Sequence, residues 1–64
     1  MEDVETWVDE DGYHARLDST GNRRADAWSA RRVLVALAEQ RGDNPKHLHL
    51  EFLGVEDGRS HYIG

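Results

Sequence analysis

The sequence predicts an α+β fold, a small antiparallel sheet with one helix packed across one face, and three observations carry that prediction. Apolar and polar residues alternate on both sides of Asp11-Gly12, they alternate again from Leu48 to Phe52, and between these stretches apolar residues recur at helical spacing from Ala30 to Ala38. The expected order is β-β-β-α-β-β, with β-β-α-β-β as the fallback, because Arg23 to Trp28 reads either as a strand or as the start of the helix. Sixty-four residues make a single domain, and no repeat and no Pro-, Gly- or Ser-rich stretch divides them.

Val4, Thr6 and Val8 alternate with Glu5, Trp7 and Asp9, Asp11-Gly12 supplies a type I′ hairpin signal, and Tyr13, Ala15 and Leu17 alternate with His14, Arg16 and Asp18. Asp18-Ser19-Thr20-Gly21-Asn22 then offers Asp at the first position of a type I turn and Gly where a left-handed residue closes a three-residue hairpin loop. On that basis the chain turns back and Arg23 to Trp28 forms a third strand, although Arg-Arg-Ala-Asp-Ala has little β propensity. Ser29 is a good N-cap, Trp28 before it can staple onto Val33, and Arg41-Gly42 is a helix ending, so the helix is expected from about Ala30 to Arg41. Asp43-Asn44-Pro45 forms the exit loop. Leu48, Leu50 and Phe52 begin a second hairpin, which turns at Glu56-Asp57-Gly58 into Ser60 to Ile63.

The expected core pairs small residues, Ala15, Ala25 and Ala27 on the sheet and Ala30 and Ala38 on the helix, with the bulk of Leu17, Leu34, Leu37, Leu48, Leu50, Phe52 and Ile63. Each large side chain contributes roughly 1.5 to 3 kcal/mol when fully buried. Seven of them barely offset the ordering entropy of so short a chain, and no cysteine is present to staple it. Homodimerisation through a sheet edge or face is therefore expected to be open to it.

Thirteen acids against eight bases leave a net charge of −5, which works against non-specific attraction to phosphate backbones and anionic lipid. The acidic opening Met1-Glu2-Asp3-Val4-Glu5 is unlike a secretory leader, and the longest apolar run, Val33 to Ala38, is too short to span a bilayer. These features point to a cytoplasmic protein of bacterial or phage type with no membrane partner. The sign of the charge changes along the chain: the first hairpin is acidic, whereas Arg23, Arg24, Arg31, Arg32 and Arg41 make the middle basic.

Pairing three strands through the expected turns sets Trp7 beside Arg16 and Arg16 opposite Arg24, with Asp9, His14 and Asp26 in the neighbouring row. An indole beside guanidinium forks is a binding chemistry, and Arg31 and Arg32 on the helix extend it. The candidate partner-binding residues are thus Trp7, Arg16, Arg24, Arg31 and Arg32, and the preferred function is a non-catalytic interaction module that binds a protein partner or itself. The same strand-turn-strand-turn-strand-helix layout, over about Val4 to Gln40, resembles the small three-stranded sheet domains with which phage-type recombinases bind DNA. Those domains present mostly bases, whereas Glu5, Asp9, Asp18 and Asp26 share this face, so a DNA- or RNA-binding or regulatory role through the arginines is the alternative.

A histidine metal site is a second alternative: His47, His49 and Glu51 project from one face of a strand, but alternate strand residues lie about 7 Å apart, too far for adjacent imidazoles to share an ion easily. His61 is expected opposite Gly54, on the apolar face. No cysteine nucleophile, phosphate loop, nucleophile elbow or paired zinc-ligand motif occurs, so neither a catalytic residue nor a cofactor is expected.

Overall fold

Two tight turns set the architecture. In the computed structural model, which describes residues 4–44 and 48–64, they build the hairpins β1 (Val4–Asp9) with β2 (Gly12–Asp18) and β3 (Glu51–Glu56) with β4 (Arg59–Ile63), and α1 (Arg23–Gln40) lies between the two in sequence. Asp9 faces Gly12, so Glu10 and Asp11 make the first turn; the Asp11 N–H donates to Asp9 Oδ1 at 2.8 Å, and Gly12 opens β2 at φ 130° instead of sitting in the turn. At the second turn Asp57 and Gly58 are both left-handed, φ 54° and 73°, as a type I′ turn requires.

The hairpins join side by side through β2 and β4, giving a four-stranded antiparallel sheet in the order β1-β2-β4-β3. Tyr13 and Gly64 extend the central ladder, each N–H donating to the other's carbonyl at 2.8 to 2.9 Å.

The element order is β-β-α-β-β, the fallback, and the expected third strand is helix. Asn22 caps α1 by accepting from the Ala25 N–H at 3.2 Å, so the loop from Ser19 to Asn22 leads into a helix and not back into the sheet. One buried carboxylate holds that loop. Asp26, 2% exposed, accepts from the Thr20 hydroxyl at 2.8 Å, from the Thr20 N–H at 3.2 Å and, more distantly, from the Ser19 hydroxyl at 3.5 Å. Ser29 and Trp28 accordingly lie inside α1, where they serve neither as cap nor as staple. Arg41 is the C-cap, and its N–H reaches the Ala38 carbonyl at 3.1 Å before Gly42 turns left-handed at φ 80°.

Ala30 and Leu34 on α1 pack with Ala15 and Leu17 of β2, Tyr62 of β4 and Leu48 in one core, and Ala38 is buried one turn farther along the helix. The alanines at 15, 30 and 38, each 0 to 1% exposed, allow the close approach that the sequence suggested. Tyr62 is the largest fully buried side chain and its hydroxyl lies 3.5 Å from the Arg23 carbonyl. Ala25 and Ala27 belong to the helix, and Ala25 is exposed.

A bulge changes the second hairpin. Phe52 pairs with Tyr62 and Gly54 with His61, which leaves Leu53 as the additional residue in β3. Phe52 therefore faces the helix while Gly54 and His61 do not: the pairing of His61 with Gly54 is as expected, but its face is reversed. Ile63, aligned with His14, lies on that same outer face and not in the core. Leu48 and Leu50 pack on the core ahead of β3, not within it.

Candidate functional site

The sheet face opposite α1 gathers Trp7 from β1, His14 and Arg16 from β2, and His61 from β4. Strand alternation selects them, because Ala15, Leu17 and Tyr62 point the other way. Trp7 stacks on His14 with ring centroids 4.8 Å apart and planes within 5°, His61 is tilted against both rings, and the Arg16 guanidinium sits 5.3 Å from the indole. His14 is buried. Its Nε2 lies 2.9 Å from Asp9 Oδ1 and its Nδ1 lies 3.0 Å from His61 Nε2.

With Asp9 ionised and both rings neutral, one proton pattern fills both contacts: His14 Nε2–H donates to Asp9, and His61 Nε2–H donates to His14 Nδ1. The electrostatics agree. The hydrogen bond from His14 holds the Asp9 carboxyl below the ordinary carboxylate range, while burial, with the Arg16 charge adding to it, holds His61 below 6.5. Farther along the face, Glu5 bridges Arg16 at 4.0 Å and Arg59 at 3.5 Å, and Asp18 meets Arg59 at 3.6 Å. Such half-exposed pairs contribute about 0 to 1 kcal/mol each. They nonetheless occupy the charges of this face with one another, and Trp7 is only half-exposed beneath Arg16.

Trp7, Arg16, Asp9 and His14 share a face as the sequence reading has it, but the register is shifted by two residues. With the turn at Glu10-Asp11 and not Asp11-Gly12, Trp7 aligns with His14, Arg16 with Glu5 and Asp9 with Gly12, and Arg16 reaches the indole diagonally. Arg24 and Asp26 do not join that sheet, because both are on α1. Arg24 instead shares the outer face of the helix with Trp28, Arg31 and Arg32, opposite buried Ala30, Leu34 and Ala38, and half-buried Val35 borders that face. Trp28 is 61% exposed, more than any other large apolar side chain among the described residues. The Arg32 guanidinium lies 5.0 Å from its ring, and Arg31 Nη1 donates to the Leu48 carbonyl at 3.2 Å. A shallow groove of about 330 Å³ runs past Trp28, Arg31, Arg32, Val35, Ala36 and Glu39. Since α1 begins at Arg23, Arg31 and Arg32 sit mid-helix and not in a first turn that opposes them electrostatically.

Sequence reasoning missed Trp28 as a surface residue. The signal was present: counted from an Asn22 cap, Arg24, Trp28, Arg31 and Val35 fall at i, i+4, i+7 and i+11. Of the histidine set, His47 lies outside the described residues, and His49 and Glu51 are exposed. A different group converges at the first turn, where ligand atoms of Asp9, Asp11 and His14 lie within 4.8 Å of one another.

Comparison with known protein families, with curated proteins and with solved structures found no match for this chain. No helix among the described residues is long and apolar enough to cross a membrane.

Proposed function

We propose that the protein is a non-catalytic interaction module that receives an acidic, apolar-tipped segment of a partner protein on the outer face of α1. The observation that supports this reading is Trp28, 61% exposed among Arg24, Arg31 and Arg32. Covering on the order of 100 Å² of indole at about 25 cal/mol per Å² gives roughly 2.5 kcal/mol, the scale of an interface hot spot. The arginine forks then select carboxylates on the incoming segment. A protein partner suits the chain better than nucleic acid, because the net charge of −5 opposes a phosphate backbone approaching from any other direction. The sheet face around Trp7 and Arg16 is the weaker surface, since its charges already pair across strands.

The test is a backbone-amide NMR titration of the ¹⁵N-labelled protein with a short peptide of alternating Glu and Leu. Saturable shifts are expected along Arg24 to Val35, and Trp28→Ala, which leaves the core intact, should abolish them. Shifts centred on Trp7 and Arg16, or unchanged binding by Trp28→Ala, would overturn the assignment. Retardation of a DNA or RNA probe in a low-salt gel shift, with no response to the peptide, would replace the partner class.

A further inference from the structure

We infer that the first hairpin carries a binding site for a divalent transition metal, with Asp9, Asp11 and His14 as ligands and His61 orienting His14 from behind. The sequence pattern is Asp-x-Asp-x-x-His across a tight turn, and folding brings one donor atom of each residue to within 4.8 Å of the others. The two carboxylates come from either side of Glu10, and their exposure leaves the approach open to a hydrated ion. The imidazole differs from them. It is 6% exposed, stacked on the Trp7 ring at 4.8 Å and held at Nδ1 by His61 at 3.0 Å, and its Nε2 is aimed at the carboxylates. An imidazole fixed in this way does not have to be ordered when the ion arrives.

The ion takes the place of the proton between His14 Nε2 and Asp9, and the hydrogen bond behind His14 is kept. To bind metal, His14 must present Nε2 as a lone pair, so its proton moves to Nδ1 and is donated to His61 Nε2, while His61 carries its own proton on Nδ1. The 3.0 Å contact survives with its direction reversed, and two protons are present before and after. A ligating imidazole that donates its other N–H to an acceptor behind it is the usual arrangement around protein-bound metals. One nitrogen and two carboxylates, with the remaining positions left to water, suit Zn²⁺, Co²⁺ or Ni²⁺ better than Mg²⁺ or Ca²⁺, which prefer all-oxygen sites. This site is separate from the helix face and does not depend on the partner assigned there.

The stacking supplies the readout. In a Trp28→Phe background Trp7 is the sole tryptophan, and Ni²⁺ at His14 is expected to quench its emission saturably and reversibly with EDTA, while Zn²⁺ raises the melting temperature. Asp11→Ala changes one exposed turn side chain and should abolish both effects, with Asp11→Asn as a milder companion. His61→Asn should weaken the Ni²⁺ titration about 10- to 100-fold, and His49→Ala should leave it unchanged. Absence of saturable quenching together with no Zn²⁺ shift, or an undiminished response in Asp11→Ala, would overturn the site. Loss of the response in His49→Ala alone would place the ion on the β3 side instead.

Discussion

Asp26 is the residue whose removal best tests how the chain enters its helix. Replacing it with alanine deletes the acceptor of a 2.8 Å bond from the Thr20 hydroxyl and a 3.2 Å bond from the Thr20 N–H, with a longer contact to Ser19. Hydrogen bonds to a charged acceptor contribute about 1.5 to 3 kcal/mol each. Thr20 and Ser19 are both exposed, so their freed donors can turn to water, which lowers the expected loss to about 2 to 3 kcal/mol in total. A core in a chain this short rarely supplies more than about 3 to 5 kcal/mol, so the variant should sit near the edge of folding. With a urea dependence of about 1 kcal/mol per molar, the midpoint should fall by about 2 to 3 M, read by far-ultraviolet circular dichroism. Asp26→Asn keeps one acceptor oxygen and should fall between the two. An Asp26→Ala midpoint within about 0.5 M of the parent would refute the reasoning, since the cost of burying the carboxylate would then cancel its hydrogen bonds.

The helix start and the alkaline limit provide further tests. Asn22→Ala should cost about 1 kcal/mol as a lost cap, whereas Ser29→Ala, an exposed mid-helix change, should be neutral or stabilising by a few tenths; urea midpoints in the opposite order would move the start of α1 to Ala30. Burial, assisted by the nearby charge of Asp26, raises the Tyr62 phenol above its ordinary value of 10.0, so above about pH 10 the folded chain holds a proton that the unfolded chain has released. Stability from this source is complete below that pH and is lost as pH rises through the folded value, and Tyr62→Phe should flatten the decline in urea midpoints measured across that range.

The parts of the fold that were legible in the sequence are those set by local periodicity. Alternation around Asp11-Gly12 and Asp57-Gly58 specified two hairpins, and the spacing of Ala30, Leu34 and Ala38 specified the buried stripe of the helix. Arg23 to Trp28 stayed ambiguous because the turn signal from Asp18 to Asn22 favours a returning strand while Arg-Arg-Ala-Asp-Ala has little β propensity. The deciding contact, Asp26 on Thr20, joins residues that only the folded loop brings together. Alternation also conceals an inserted residue: the bulge at Leu53 lets His61 pair as expected yet join Trp7 and His14 on the outer face. For the candidate surfaces the same division holds. The common face of Trp7, Arg16, Asp9 and His14 follows from alternation, but their alignment does not, because the turn closes one residue earlier than the Asp-Gly signal suggests. The helix face around Trp28 depends on where the helix begins. The cluster of Asp9, Asp11 and His14 needs a turn that folds two carboxylates back on the strand, which alternation along a single strand does not describe.

The bulge in β3 also makes the two borders of the sheet unlike each other. A flat, regular outer strand is a template on which further chains can add, and proteins blunt such borders by distorting them or by charging them. β3 uses distortion, with its additional residue at Leu53 and Gly54 at φ 130°. β1 is regular, and an antiparallel copy beside it would bring Glu5 and Asp9 against acids of the same sign. Shape does not respond to salt or acid, but charge repulsion does. Fibrillar growth, under conditions that screen or neutralise carboxylates, should therefore begin at β1.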